Sequence, residues 1–190
     1  MDKITLGHGA GGREMHKLID SVFMKAFSGP ILREKKDSAI LGIGNKKIAF
    51  TTDSYVVNPI FFPGGDIGSL AIYGTVNDLS VCGARPLYLS LAFIIEEGFG
   101  SNALEKIVRS AKTAAKRSSV EIVTGDTKVV EKGSCDKIFI NTSGIGEVYY
   151  ERLSIDEISS SDAVIISGPI GEHAASVLSS REGMEFKTNV

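Results

Sequence analysis

An α+β or mixed α/β domain is predicted for most of this chain, and three observations predict it. Two short apolar runs, Ser38 to Ile43 and Lys47 to Thr52, flank Gly44-Asn45 in the pattern of a β-hairpin. A helix with one apolar stripe, Ala103 to Arg117, stands between apolar strands. The connections therefore combine hairpins with crossovers, which excludes an all-helical and an all-β architecture. A composition of 43% hydrophobic and 23% charged residues is that of a globular protein, and 190 residues suffice for one domain and part of a second.

Taken in order, Glu14 to Phe27 reads as a helix through Leu18, Ile19, Val22, Phe23 and Phe27, stopped by Gly29-Pro30. The hairpin follows, and its second strand delivers Thr51-Thr52-Asp53 at its end. Asn58 to Gly68 is a Pro- and Gly-rich loop carrying Phe61 and Phe62. Ile67 to Val81 reads as a helix of small residues with Asn77-Asp78 near its end. From Leu87 to Ile95 both faces are apolar, as in a strand buried on both sides or used at an interface. In the next helix Ala103, Leu104, Ile107, Val108, Ala111, Ala114 and Ala115 form the stripe, with Asn102 and Glu105 as a capping pair. Val120 to Thr124 is a short strand ending at Gly125-Asp126-Thr127. Lys137 to Val148 is a long one, broken by Gly144 and Gly146, where another backbone can approach. The serine-rich stretch from Glu151 to Asp162 reads as a linker. One domain therefore spans 1–152, and 153–190 holds the linker and the truncated start of a second, α/β domain. That start comprises a strand at Ala163 to Ser167 and a helix from Gly171.

A formal net charge of −2 gives no basic footprint, so neither nucleic acid nor an anionic membrane surface is an expected partner. No run approaches the ~20 apolar residues of a bilayer span, and the amino terminus lacks the pattern of a secretory leader. Cys82 and Cys135 have no metal-type spacing. A reduced, cytoplasmic protein is the simplest reading.

Four acidic residues lie at structural joints. Asp37 precedes the first strand, Asp53 ends the second, Asp78 closes the small-residue helix and Asp126 follows a later strand. Carboxylates at strand ends can converge on one point, and there they repel unless a cation such as Mg²⁺ neutralises them. Each aspartate taken alone is an ordinary turn former; together they make a possible metal–phosphate site. Lys128, two residues beyond Asp126, could steady a transferring phosphoryl group, although a bare lysine is ordinarily a surface residue. Gly7 to Gly12 matches G-x-G-x-x-G without a convincing strand before it, so it reads as a flexible loop over phosphates or as a mobile terminus. No Walker A loop is present, and His8, His16 and His173 show no zinc spacing.

The order of several segments resembles the HypE family of hydrogenase-maturation proteins, within the aminoimidazole-ribonucleotide-synthetase superfamily. The segments are Leu6 to Gly12, Asp37-Ser38-Ala39, Thr51 to Val57, Phe61 to Gly68, Val76 to Leu79, Gly83 to Pro86, Thr124 to Val130 and Asn141 to Gly146. The resemblance implies a PurM-like α+β domain with a mixed, mainly antiparallel sheet, helices on one face, and dimerisation through the sheet. It implies ATP and Mg²⁺ as cofactors and dehydration of a cysteine-borne carboxamide to a thiocyanate, the source of hydrogenase cyanide ligands. Implied partners are a second copy, a HypF-type carbamoyltransferase and a HypC–HypD complex. Asp37, Asp53, Asp78 and Asp126 match the metal positions, and Lys128 with Asp78 the chemistry. Asn77, Thr127, Gly125, Thr52, Gly9 and Gly11 match the nucleotide-holding positions. The family's terminal Pro-Arg-Ile-Cys tail has no counterpart, since this chain ends Lys187-Thr188-Asn189-Val190. Two other readings stay open: a dimerisation or partner-binding module without catalysis, and a sister ATP-dependent synthetase or kinase.

Overall fold

The computed structural model describes residues 3–27, 29–151, 153 and 157–183. Helical segments come first: a 3₁₀ turn at Leu6–Gly9, α1 at Arg13–Leu18, a π-helical turn at Ile19–Phe23, α2 at Met24–Ala26 and α3 at Pro30–Arg33. Then follow β1 (Ala39–Ile43), β2 (Lys46–Tyr55), β3 (Phe61–Phe62), β4 (Gly65–Asp66), α4 (Ile67–Val81), β5 (Ala84–Glu96), α5 (Ser101–Arg117), β6 (Glu121–Val130), β7 (Ile138–Val148) and α6 (Glu172–Glu182).

Five strands form one sheet in the order β1-β2-β7-β5-β6, and β3 with β4 makes a separate small hairpin. Only β5 and β6, joined across α5, run parallel; the remaining neighbours are antiparallel. Helices α4 and α5 cover one face, as expected for this fold class. Their apolar sides bury Ile72, Leu79, Ala111, Ala114 and Ala115 against Ala49, Ala84 and Leu89 of the sheet. A second cluster joins Ile67, Ala71 and Ile107 to Ile95, Ile138 and Ile140. Along β7 the alternate residues Ile138, Ile140 and Thr142 are buried under the helices, the period-two signature of a sheet covered on one side. The opposite face is open and leaves Phe50, Tyr88, Ile94 and Ile145 exposed.

Helix α4 begins at a capping box. The Asp66 carboxylate accepts from the backbone amides of Gly68 (2.8 Å) and Ser69 (3.0 Å), and the Ser69 hydroxyl returns to the Asp66 backbone. Asp66 is buried, so its removal strands two amide donors. Asp66→Ala should cost about 1–2 kcal/mol, read as a lower urea midpoint at unchanged m-value. The Phe61–Asp66 hairpin also carries α6: Ser176 donates to the Pro63 carbonyl at 2.7 Å, and the His173 ring meets Phe62 edge-on at 5.3 Å.

Several expectations need correction. Strands β2 and β6 run past the points where Asp53 and Gly125 were expected to end them, because both stretches are held in ladders, with β7 and β5 respectively. Gly144 and Gly146 do not break β7. A backbone does approach Gly146, where a Cβ would lie 2.9 Å from the Arg85 carbonyl oxygen, whereas at Gly144 side chains crowd in, with Thr75 Cγ2 at 2.8 Å and Leu79 Cδ1 at 3.0 Å. The α5 cap is Gly100, with no side-chain hydrogen bond, so Asn102 and Glu105 do not cap it. Pro30 opens α3 as its first residue, where its missing N–H costs nothing. Ala163 to Ser167 joins no ladder. The helix from Gly171 forms. Arg152, at the expected domain boundary, lies outside the described residues, as does the chain end Lys187 to Val190.

Candidate functional site

The hydroxyl of Thr51 organises the site. It lies in β2, buried on the helix-facing side, and reaches both the Asp37 carbonyl (2.9 Å) and the Asp78 carboxylate (3.2 Å). Ser38, also buried, donates to the Asp78 backbone carbonyl at 2.8 Å. The loop before β1 is thus tied to the last turn of α4. Two residues beyond Thr51 on the same face, Asp53 accepts from the Tyr55 hydroxyl at 2.9 Å. Tyr55 in turn contacts Thr75 at 3.0 Å, and Thr75 bonds Thr142. A chain of hydroxyls runs from the buried centre of the sheet to the two carboxylates.

The electrostatics follow from this crowding. Burial first, then the neighbouring Asp53 and more weakly Asp37, push the Asp78 carboxyl up to about 6, against a smaller opposing effect of the Thr51 hydrogen bond. Burial raises the Tyr55 hydroxyl as well, with Asp53 and Asp78 adding to it. Both shifts describe negative charge gathered in a half-buried place. Among the described residues no three Asp, Glu, His or Cys side chains are close enough to cage a metal ion. Cys82 and Cys135 are free thiols.

Three of the four predicted acids therefore interact, and the fourth does not join them. Asp126 sits on β6, at the far edge of the sheet from β2, with β7 and β5 between. Three strand spacings amount to about 14 Å. The faces differ too. Asp53 shares its cross-sheet row with Thr142, Leu91 and Gly125, whereas Asp126 shares the next row with Ala92, Asn141 and Ser54. Asp126 consequently projects from the open face, where Lys128 comes within 3.7 Å and both side chains are well exposed. Thr127, also exposed, lies between them on the opposite face.

Of the remaining predicted residues, Asn77 is exposed beside Asp78 on α4. Thr52 faces the open side and donates to the Thr142 carbonyl at 2.9 Å. Gly9 and Gly11 belong to an exposed loop whose backbone hydrogen bonds are local, such as Ala10 to Gly7. Sequence reasoning missed Thr51, Tyr55, Thr75 and Thr142 as site residues. The signal was available for two of them: Tyr55 stands at i+2 from Asp53 on a strand, and Thr75 at i−3 from Asp78 on a helix.

Residues 35–148 match the AIR synthase related protein N-terminal domain. The chain belongs to this family. Within the AIR synthase related family it is similar to the carbamoyl dehydratase HypE of Rhizobium leguminosarum bv. viciae, at 50% identity over 99% of this chain and 54% of that protein. Two solved structures are also similar. One is a HypE–HypF complex, 55% identical with a TM-score of 0.83, matching 91% of this chain and 56% of that one. The other is HypE in complex with ATP, 48% identical with a TM-score of 0.65, matching 99% and 56%. The chain thus spans about half the length of the curated relatives it matches.

Proposed function

We propose that this chain is the nucleotide-handling part of an ATP-dependent carbamoyl dehydratase serving nickel–iron hydrogenase maturation. The observation that carries the reading is the gathering of Asp37, Asp53 and Asp78 about Thr51, which reaches both the Asp37 carbonyl and the Asp78 carboxylate; burial first, then Asp53, raises the Asp78 carboxyl there. Such a donor set suits a hard divalent cation, and Mg²⁺ would neutralise it and draw in the phosphates of ATP. In this reading Asp37, Asp53 and Asp78 hold the metal and Asn77 and Thr52 flank it. Gly9 and Gly11 offer backbone amides to the phosphates.

Asp126, Gly125, Thr127 and Lys128 stand apart from the pair within one chain. Asp126 and Lys128 project from the open face, and a second copy covering that face through Phe50, Tyr88, Ile94 and Ile145 brings them, with the adjoining Gly125 and Thr127 backbone, to its partner's site. The substrate is a cysteine S-carboxamide. Its oxygen attacks the γ-phosphorus, ADP leaves, and the C–O bond then breaks with loss of inorganic phosphate and of protons from nitrogen, leaving a thiocyanate. Lys128 steadies the charge that develops on the transferring group. A HypF-type carbamoyltransferase would deliver the carboxamide and a HypC–HypD complex would receive the product, in the cytoplasm. No described helix is long and apolar enough to cross a membrane.

Calorimetric titration of ATP with and without Mg²⁺, into this chain and its Asp126→Asn variant, tests the proposal. Mg²⁺-dependent binding that falls at least tenfold in the variant is expected. Binding indifferent to Mg²⁺, or none to the folded chain, would leave a dimerisation module. A monomeric mass by sedimentation at micromolar concentration would sink the shared site.

A further inference from the structure

Helix α5 carries five cations, Lys106, Arg109, Lys112, Lys116 and Arg117, against the single anion Glu105, in a chain whose overall charge is negative. All five are exposed. Lys116 and Arg117 suit the negative end of the helix dipole, but that leaves Arg109 and Lys112 in mid-helix unexplained. Lys106 is occupied over the Phe61 ring, 4.3 Å from its centroid.

Where α5 meets α4 and the β3–β4 turn there is a cleft of about 350 Å³, lined by Gly65, Ser69, Tyr73, Arg109, Thr113 and Arg117. Among the described residues Arg117 has no ion-pair partner, and Arg109 has only a stretched 4.0 Å contact with Glu105. Two guanidinium groups with spare donors thus share one cleft with four hydroxyl side chains, those of Ser69, Tyr73, Ser110 and Thr113. Arginine forks bind carboxylates bidentately, and such charge-assisted bonds are the stronger kind.

We infer that this cleft and its flanking lysines form a docking site for a carboxylate-rich segment of a partner protein. Charge complementarity with the five cations of α5 selects that occupant. The two arginines are eight residues apart, about 12 Å along the helix axis. Both side chains nonetheless line one cleft, so an acidic segment lying along α5 meets the two arginines together and the lysines beyond them. Tyr73 and the stems of the arginines supply apolar contact between the charges, and Lys112 and Lys116 extend the positive field beyond the cleft. The inference is independent of nucleotide binding, because the cleft lies on the outer surface of the helix layer and shares no residue with the carboxylate pair.

The test uses fluorescence anisotropy of a labelled octaglutamate peptide at low ionic strength, with the 190-residue chain. Arg109→Gln/Arg117→Gln should weaken binding at least tenfold. Lys3→Gln/Lys132→Gln, which removes the same charge elsewhere, should leave it within twofold. Circular dichroism establishes that both variants fold, and Arg109→Lys/Arg117→Lys should recover only part of the affinity. Equal losses in both glutamine variants would reduce the effect to unspecific attraction and overturn the site. Absence of peptide binding, or displacement of the peptide by equimolar tripolyphosphate, would overturn it as well, the latter in favour of a phosphate site.

Discussion

Asp78→Asn should make this chain more stable at neutral pH while abolishing Mg²⁺-dependent ATP binding. The two effects share one origin. In the folded chain burial and Asp53 push the Asp78 carboxyl up from 3.8 to about 6, so folding makes its ionised form less favourable. The sign follows from proton linkage: a carboxyl that holds its proton more tightly when folded favours the folded state at low pH. This contribution is full below pH 3.8 and is lost as pH rises through about 6. Above that range the ionised group carries its whole cost. Asparagine removes the charge and can still accept the hydrogen bond from Thr51. The full shift would correspond to about 3 kcal/mol, but Asp78 is only half-buried and solvent screens it, so about 1 kcal/mol is expected. For a chain of this size that raises Tm by about 3 °C. Calorimetric melting at pH 4 and pH 7.5 checks it: no gain at the lower pH, the full gain at the higher. If Asp78→Asn melts earlier at pH 7.5, or binds Mg²⁺–ATP as before, the crowded carboxylate pair is not the metal site.

Gly68→Val should have the largest effect on folding. Gly68 stands in the first turn of α4, where the two helices touch, and a Cβ there would collide with the Ile107 backbone carbonyl and lie 3.0 Å from Ile107 Cγ2. The obstacle is backbone inside a helix, which cannot rotate away as a side-chain tip can. Helices α4 and α5 must then separate, opening the core around Ile67, Ala71 and Ile107. Overpacking of this kind, with a β-branched residue added, costs about 3 kcal/mol, hence roughly 10 °C in Tm. Gly42→Val is the control, since nothing lies within 4 Å of its added Cβ; it should stay within about 0.5 kcal/mol of the parent. Equal melting temperatures for the two variants would show that the helix contact is not as close as described.

The chain's own letters made most of the fold legible. The Gly44-Asn45 turn, the stripe of α5 and the small residues of α4 each correspond to a local rule, and each element formed where expected. Strand lengths were harder. Thr-Gly-Asp-Thr looks like a turn because Gly and Asp favour turns, yet Gly125 and Asp126 lie mid-strand because β5 supplies a partner backbone over that whole length. A ladder partner is a tertiary fact, invisible to local propensity. The site shows the same division. Asp53 and Asp78 lie side by side and Asp37 joins them through its carbonyl, held by Thr51, these three being linked by a hairpin and one helix. Asp126 does not join them, because the parallel crossover through α5 sends β6 to the outer edge of the sheet. Strand order across a sheet cannot be read from chain order, so four acids at joints were legible and their division into three and one was not.

Helix α4 has a consequence that goes past its part in the core. Its first turn is locked by Asp66, in the hairpin on which α6 rests, and its last turn carries Asp78. The two ends are about 18 Å apart and are joined by one uninterrupted rod. The hairpin beneath Ser176 and His173 and the carboxylate at the far end thus belong to one continuous element, so the seat of residues 172–182 and the acidic pair share a single geometric reference.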